Sequence, residues 1–295
     1  MTTKQTKAGV MPEAQKKGRM SYPALDSLQE VQIAGHWVSI VSPEAVKGNI
    51  LVLPGWNFPR QDWCQQSSLC REALSRGYRL ILPEMGKSVY SERFFPETRA
   101  DWKVFPNRAW LTEQMIPYLQ DSLGVMRPAQ ANYVLGLSTG GRGVALLLLA
   151  RPGLWKAGAA LSGDFDQTQM PQDRLMIGYY GPMAQFPERW QGTDNPTRQA
   201  HLFKTPLYLG HGRQDKVVPV SQTEIFYQAL KKAQPGLKVK LHLTEAQHDY
   251  AYWDSEVKNM LDFLPSLTRQ VASPGGGMSL FLPSIRKTLP GYFFL

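Results

Sequence analysis

The stretch that decides the fold is NYVLGLSTGGRGVALLLLA, residues 132–150. Its first part, Asn132–Leu137, is a short continuous apolar run typical of a buried strand, and Thr139–Ala150 has the length and composition of a helix. Between them, residues 136–140 read GLSTG, which satisfies the pattern G-x-S-x-G in the strand-turn-helix context that it requires. A serine on such a turn projects its hydroxyl away from the sheet, so Ser138 is the predicted nucleophile.

The same turn predicts a first donor for an oxyanion. The amide of Thr139 lies at the positive, N-terminal end of the helix, where it can stabilise developing negative charge. Gly136 and Gly140, two positions before and after the serine, leave room for the tight turn. A five-residue pattern with three fixed positions also arises by chance, so the assignment depends on further elements in the right order along the chain.

Further apolar runs indicate the other strands: Val31–Ile40, Asn49–Leu53, Tyr78–Leu82, Lys156–Leu161, Pro206–Leu209 and Lys238–Leu243. Stretches with helical spacing lie between many of them: Asp62–Arg76, Trp110–Leu123, Ser221–Ala233 and Ser255–Leu264. Short continuous apolar strands alternating with helices predict an α/β fold, a mainly parallel central sheet with helices on both faces.

The chain divides into three predicted regions. Residues 1–28 form a basic, flexible N-terminal segment, and residues 29–270 form the α/β domain. Within that domain, about 164–204 break the rhythm of strands and helices and are rich in Met, Tyr, Trp, Pro and Gln, which predicts a cap-like insertion over the sheet. Residues 271–295 are interpreted as a Gly-containing linker followed by an apolar tail.

A carboxylate follows a later strand. Residues 205–215 read TPLYLGHGRQD, a buried strand running into a loop that ends at Asp215. A carboxylate beyond the carboxyl end of a strand, at the same edge as Ser138, can orient an imidazole and stabilise its charged form. Asp164 and Asp166, which follow the preceding strand, are the rival candidates.

One histidine of five has the right position to be the base. His248 follows the last predicted strand and precedes the last helix, so the chain order is Ser, Asp, His. Two others, His36 and His242, lie within predicted strands. The cap region holds His201, and His211 is assigned a structural role in the loop of Asp215.

A second oxyanion donor is expected from the loop after an early central strand. The strand Asn49–Leu53 leads into Pro54-Gly55-Trp56-Asn57, where Gly55 allows close approach of the backbone. The amide of Trp56 is therefore the candidate donor, beside that of Thr139.

Residues of about Gln32 to Leu267 resemble the α/β-hydrolase superfamily, and within it they are similar to esterase D-like carboxylesterases and peptidase-like relatives. The segments that carry the resemblance are LPGW at 53–56, GLSTGG at 136–141, HGRQD at 211–215 with Val218-Pro219, His248 with Trp253, and LTEQMIPY at 111–118. The chain departs from the common pattern at Pro54, where the position before Gly55 is frequently histidine, and this bears on the second oxyanion donor.

The resemblance implies an acyl-enzyme mechanism: Ser138 attacks an acyl carbonyl, His248 takes its proton, Asp215 orients the imidazole, and water releases the acid. A serine esterase for small or medium acyl groups is the predicted function. A serine peptidase or thioesterase using the same triad, or a non-catalytic binding protein on this fold, are the alternatives. Met176, Tyr179, Tyr180 and Trp190 are candidates to line the substrate pocket, or else pack within the cap.

Composition excludes several other classes. Residues 1–20 alone hold five basic residues and one acidic residue, and so account for much of the formal charge of +9. The charge that remains on the rest of the chain is too diffuse to indicate a nucleic-acid surface. The longest apolar run is too short for a membrane helix, and the polar N-terminal stretch lacks a secretory signal, which predicts a cytoplasmic protein. Neither a metal nor a cofactor is expected. Cys64 and Cys70 lie six apart in one predicted helix, so no disulfide is expected.

Overall fold

The structure, a computed structural model, describes residues 27–264 and contains one eight-stranded sheet with the order β1-β2-β4-β3-β5-β6-β7-β8. Its strands are β1 (Ser27–Ile33), β2 (His36–Ser42), β3 (Gly48–Leu53), β4 (Tyr78–Pro83), β5 (Asn132–Leu137), β6 (Ala157–Leu161), β7 (Leu207–Gly212) and β8 (Val239–Thr244). All neighbours from β4 to β8 pair in parallel, whereas β1 with β2 and β2 with β4 are antiparallel. The predicted mainly parallel sheet is confirmed.

Helices cover both faces of the sheet, as predicted. They are α1 (Asp62–Gln66), α2 (Leu69–Ser75), α3 (Ile116–Asp121), α4 (Thr139–Ala150), α5 (Arg174–Tyr180), α6 (Pro187–Gln191), α7 (Ser221–Ala233), α8 (Tyr250–Ser255) and α9 (Val257–Phe263). Because successive side chains of a strand point to opposite faces, Leu51 and Leu53 of β3 join the cluster under α3, α4 and α7. Ile50 and Val52 join the cluster under α1, α2, α8 and α9.

The apolar run Val31–Ile40 is a hairpin rather than one strand. Ala34 and Gly35, with φ of 47° and 88°, form a two-residue turn between Ile33 and His36. Two central residues with positive φ give a turn whose twist matches that of paired antiparallel strands. This hairpin adds the antiparallel edge to the sheet.

Two predicted helices have other bounds than expected. The stretch Trp110–Leu123 begins with a π-helical turn over Trp110–Met115 and continues as α3, which ends at Asp121. The C-terminal helix begins earlier than predicted, because the carboxylate of Asp249 accepts from the amide of Tyr252 and caps α8. It is then interrupted at Glu256 before α9.

The helix predicted over Asp62–Arg76 is broken into α1 and α2 at Ser67 and Ser68. Ser67 has an extended backbone, and its hydroxyl donates to the carbonyl of Trp63. The amide and hydroxyl of Ser68 both donate to the carboxylate of Asp254 in α8, at 2.6 and 2.7 Å. A partner distant in sequence therefore outweighs the local helical pattern.

This break overturns the expectation that the two cysteines cannot pair. In a continuous helix, six residues advance by roughly 9 Å along the axis. Here the Cα atoms of Cys64 and Cys70 lie 5.1 Å apart, and the two residues form a disulfide.

The chain between β6 and β7 makes a long excursion that carries α5, α6 and short 3₁₀ turns at Gln167–Gln169 and Ala200–Leu202. It holds no strand among the described residues, which agrees with the irregular pattern of the sequence. His201 lies in the second of these turns, as the sequence places it. Residues 1–26 and 265–295 lie outside the described residues. They include the predicted apolar tail and all of the predicted basic segment except residues 27 and 28, which belong to β1. Within residues 27–264 no helix is long and apolar enough to cross a membrane.

The cysteine pair can be tested by replacing both residues with serine. Closing a loop of this length is expected to stabilise the fold by about 2 kcal/mol, because it restricts the unfolded chain. We expect the double variant Cys64→Ser/Cys70→Ser to lose about that much unfolding free energy in urea denaturation. A reductant should lower the stability of the native sequence by a similar amount and leave the double variant unchanged; equal effects on both proteins would contradict the bond.

Candidate active site

Ser138 occupies a left-handed turn between β5 and α4, with φ of 54° and ψ of −127°. A non-glycine residue in this conformation is strained and is held by its surroundings. The surroundings here are very close: a Cβ atom on Gly140 would lie 2.5 Å from the carbonyl oxygen of Leu53, and one on Gly136 would lie 2.5 Å from the carbonyl oxygen of Gly140. The glycines of the motif thus allow the start of α4 to contact the end of β3.

The structure brings Ser138, His248 and Asp215 into one hydrogen-bonded chain. Nε2 of His248 lies 3.1 Å from Oγ of Ser138, and Nδ1 lies 2.6 Å from Oδ2 of Asp215. Since an ionised carboxylate can only accept, Nδ1 carries the proton and Nε2 is free to accept from the serine hydroxyl. Three loops at the carboxyl ends of β5, β7 and β8 supply the three side chains.

Asp215 is fixed by donors on both of its oxygens. The amides of Val217 and Val218 donate to Oδ1, each at 2.8 Å, and Nε2 of His211 lies 3.1 Å from Oδ2. Burial by itself raises the pKa of this carboxyl, but hydrogen bonds from His211 and His248 outweigh it and hold the pKa of Asp215 well below its usual value. The carboxylate therefore stays ionised at any pH near neutrality.

The position of His211 differs from the loop position expected for it. It lies within β7, is fully buried and contacts Asp215 directly. The spacing of four residues between His211 and Asp215 in HGRQD is the only trace of this contact in the sequence, and it does not by itself indicate that the chain folds back.

The two rival carboxylates have other partners. Asp164 pairs with the guanidinium of Arg142 at 3.3 Å. Asp166 accepts from the amide of Thr168 and from the side chain of Asn195, at 3.1 and 2.7 Å. Burial raises the pKa of Asp164 to about 6, although Arg142 opposes the rise. Neither carboxylate is hydrogen-bonded to a histidine, in contrast to Asp215.

His248 is also held from its side. The indole of Trp253 meets the imidazole edge-on, with 5.0 Å between the ring centroids. The indole N–H donates to the hydroxyl of Ser162 at 3.2 Å, and Ser162 itself has a positive φ of 49° at the end of β6. The residue Trp253, which contributed to the sequence resemblance, thus limits the rotation of the imidazole.

The two amides expected to bind an oxyanion lie on adjoining segments. A Cβ atom on Gly55 would lie 2.8 Å from Cδ1 of Leu137, so the loop after β3 touches the residue before Ser138. In this loop the amides of Asn57 and Phe58 donate to backbone carbonyls. Among residues 27–264 no acceptor is bonded to the amides of Trp56 and Thr139, which leaves both available to a ligand.

The four residues suggested for a substrate pocket are packed together. Met176, Tyr179, Tyr180 and Trp190 each have at most 2% of their surface exposed and form one cluster with Val89 and Trp102. Trp56, which is only partly buried, meets Trp102 at 4.6 Å between ring centroids. A role for the four residues in binding substrate stays a prediction, and Trp56 is one of the partly buried residues packed against their cluster.

Arg142 joins α4, the helix that follows Ser138, to the excursion between β6 and β7. This fully buried side chain donates to the carbonyl of Val89, to Asp164, to Oε1 of Gln167, to the hydroxyl of Tyr180 and to the carbonyl of Asp194. A buried guanidinium is tolerated because each of its N–H groups finds an acceptor. Three residues separate it from Ser138, so the excursion is attached beside the site.

Two open cavities lie away from Ser138. One of about 390 Å³ is lined by residues that include Arg108, Arg151 and Leu202, and another of about 250 Å³ by residues that include Phe95, Arg189 and Asp194. Within the described part of the chain, no group of three or more His, Cys, Asp or Glu side chains could hold a metal ion.

Comparison with known proteins identifies the family. Residues 74–270 match the model of the prolyl oligopeptidase family, Peptidase S9. A poly(3-hydroxyoctanoate) depolymerase from Pseudomonas fluorescens is 22% identical over 191 residues, and the match covers 61% of this chain and 61% of the depolymerase.

Among solved structures, an S-formylglutathione hydrolase from Agrobacterium tumefaciens is similar with a TM-score of 0.64, at 15% identity, over 81% of this chain and 94% of the other. A puromycin-hydrolyzing peptidase from Mycobacterium tuberculosis is similar with a TM-score of 0.62, at 20% identity, over 81% of this chain and 40% of the other. At such identities these two likenesses show the α/β-hydrolase fold. From the family match, the chain belongs to the prolyl oligopeptidase family, and it has the α/β-hydrolase fold.

Proposed function

We propose that the protein is a serine carboxylesterase that cleaves esters of small or medium acyl groups through an acyl-enzyme intermediate. The observation that carries the proposal is the chain of hydrogen bonds from Ser138 through His248 to Asp215. It supplies a nucleophile, a base within reach of its proton and a carboxylate that orients the base.

The geometry supports the following reaction. Oγ of Ser138 attacks the ester carbonyl carbon while its proton moves to Nε2 of His248, and the carbonyl oxygen becomes an oxyanion. As the oxyanion collapses, the bond to the leaving oxygen breaks, and the imidazolium of His248 gives that oxygen its proton. Water then attacks the acyl-enzyme with His248 again as base, which releases the acid and restores Ser138.

Two backbone groups would stabilise the oxyanion, the amides of Trp56 and Thr139. Their support is that both are without an acceptor among the described residues and lie on segments that touch at Leu137. Backbone donors already directed at the site cost no reorganisation when the charge develops.

Three partly buried aromatic residues favour an apolar acyl or aryl group. Trp56 lies on the loop after β3, Phe58 packs against Tyr250, and Tyr250 follows His248 by two residues. Partly exposed aromatic rings beside a nucleophile bury apolar surface of a ligand. The name of one relative points in the same direction, since it is a depolymerase of poly(3-hydroxyoctanoate), whose acyl units carry apolar chains.

A serine peptidase is the second candidate, because the family match is to prolyl oligopeptidases. The same triad would also serve a thioesterase. The chain spans 40% of the puromycin-hydrolyzing peptidase with which its fold was compared. We favour the esterase because the substrate that the name of the depolymerase gives, poly(3-hydroxyoctanoate), is a polyester.

The proposal has three further parts: a cytoplasmic location, a small-molecule ester as the partner, and the excursion near 164–204 as a cap. The disulfide between Cys64 and Cys70 argues against the first of these, because such bonds persist mainly in oxidising compartments. Cell fractionation followed by thiol labelling of the two cysteines decides between the compartments.

Replacing the nucleophile tests the enzyme assignment. We expect Ser138→Ala to lower the hydrolysis of p-nitrophenyl butyrate by at least about 10³-fold and to abolish labelling by a fluorophosphonate probe, because no other group can form the acyl-enzyme. Ser75→Ala, which changes an exposed serine of α2, is the control and should behave as the native protein. Unchanged turnover in a folded Ser138→Ala protein would refute the assignment.

A second pair of variants identifies the acid. We expect Asp215→Asn to lower kcat by about 10⁴-fold, because an amide at this position no longer fixes the tautomer of His248 in which Nδ1 carries the proton. Asp166→Asn changes a rival carboxylate that bonds no histidine and should keep kcat within a few-fold of the native value. The reverse ranking would assign the role of Asp215 to Asp166.

A substrate panel separates the esterase from the other hydrolases. We expect a higher kcat/KM for p-nitrophenyl butyrate than for an aminoacyl p-nitroanilide or an acyl thioester, all measured with the same enzyme preparation. A preference for the anilide would favour the peptidase. If the protein is labelled by fluorophosphonate but turns over none of the three substrates, the assignment as a serine hydrolase stands and the proposed class of ester substrate is rejected.

A further inference from the structure

The carboxylate of Asp215 has an unusual set of partners, because two imidazoles share its Oδ2 atom. His248 lies 2.6 Å from this atom and His211 lies 3.1 Å from it. We propose that His211 is a positioning residue, which fixes Asp215 and thereby controls the orientation and proton affinity of His248. This inference rests on the proposed function, in which His248 is the base.

The partners of His211 determine its protonation. Nε2 faces two oxygens, Oδ2 of Asp215 and the carbonyl of Val218 at 3.0 Å, and both can only accept. Nε2 therefore carries a hydrogen. Nδ1 lies 2.6 Å from the hydroxyl of Thr223 on α7, which can donate to it. A neutral ring with its hydrogen on Nε2 satisfies every one of these contacts.

With this arrangement, the carboxylate of Asp215 is prevented from rotating about its Cβ–Cγ bond. Its Oδ1 is held by the amides of Val217 and Val218, and its Oδ2 by His211 as well as by His248. The orientation of a catalytic imidazole depends on where the accepting oxygen lies. Loss of the hydrogen bond from His211 would free Oδ2 to move and would lower the fraction of His248 that faces Ser138.

The second effect of His211 is electrostatic. A hydrogen bond donated to Oδ2 spreads part of the carboxylate charge onto His211, which weakens the hold of Asp215 on a protonated His248. Without that bond, Oδ2 carries more charge and favours the imidazolium. Removal of His211 should therefore move the acid limb of the rate profile to higher pH.

Few other ionisable groups reach this carboxylate. His211 faces it from β7, His248 from the loop after β8, and Tyr252 interacts with it electrostatically from α8. On its own loop, Arg213 pairs instead with Glu224 and Glu245 near the surface. Among the described residues no lysine or arginine forms an ion pair with Asp215, so none replaces a lost contact from His211.

Two variants and a packing control test the inference. His211→Phe keeps a ring in the buried space and removes both nitrogens, whereas His211→Gln keeps an N–H donor near the position of Nε2. Phe226→Leu is the control, since it disturbs the buried face of α7 one turn from Thr223 without touching Asp215.

With p-nitrophenyl butyrate, we expect His211→Phe to lower kcat about 10- to 100-fold, less than the loss of Asp215 itself, and to leave KM within about twofold. The acid limb of kcat/KM should move to higher pH by half a unit or more, about a threefold change in the proton equilibrium. His211→Gln should recover most of kcat and return the acid limb toward its native position. Phe226→Leu should leave the limb in place.

A readout that needs no turnover separates this inference from the proposed function. In the Ser138→Ala background, proton NMR of the Nδ1–H of His248 should show a shifted resonance in His211→Phe and a native one in His211→Gln. An unshifted resonance, or a native acid limb in His211→Phe, overturns the role of His211 while the esterase assignment stands. A native protein that hydrolyses no ester overturns the proposed function, and the resonance still decides whether His211 acts on His248.

Discussion

One buried cation, the guanidinium of Arg142, connects three segments that lie near Ser138. The guanidinium of Arg142 lies on the first turn of α4 and bonds acceptors from the loop after β4 and from Asp164 and Asp194 of the excursion after β6. Most of these acceptors are neutral backbone or side-chain groups, so the charge does not depend on one ion pair. Removing one charged member of a buried ion pair, such as that of Arg142 with Asp164, commonly costs about 3–5 kcal/mol, because the other charge stays buried without compensation. The strained turn at Ser138 and the contact between Gly140 and β3 lie next to this network.

The two candidate carboxylates show how environment separates similar groups. Asp164 and Asp215 each follow a parallel strand at the same edge of the sheet, and both are buried. Beside Asp164 lies a guanidinium whose other donors are already used, and burial raises the pKa of that carboxyl to about 6. Asp215 instead receives four hydrogen bonds, two of them from imidazoles, and these outweigh its burial. The protein thus keeps one carboxylate ionised for His248 and leaves the other in a structural pair.

Much of this could be predicted from the sequence, because the decisive patterns are local. The apolar run Asn132–Leu137, the motif at 136–140 and the helix Thr139–Ala150 are contiguous, and the structure reproduces the bounds of both elements. Chain order, together with the loops that follow the strands at 206–209 and 238–243, then indicated Asp215 and His248. Long-range contacts account for what was missed: Ser68 breaks a helix because Asp254, 186 positions away, accepts from it, and the paired cysteines depend on that break. The hydrogen bond from His211 to Asp215 likewise forms only once the loop between them is folded. The hairpin turn at Ala34-Gly35 is local in sequence, but it was missed because the apolar residues on both sides of it read as one continuous strand.

The contact between Ser68 and Asp254 also has a mechanical meaning. His248 lies on a loop of a few residues between β8 and α8. Ser68, which lies between α1 and α2, holds α8 through its hydrogen bond to Asp254. Because this short loop is fixed at both ends, it has little freedom to change its conformation when a substrate of different shape binds. For the proposed esterase, adaptation to new acyl groups must come from elsewhere in the chain. The excursion between β6 and β7 can change in sequence and length without moving the clamped histidine, as long as the acceptors of Arg142 are kept. This divides the molecule into a rigid part that holds the reacting groups and a part in which substrate preference can evolve.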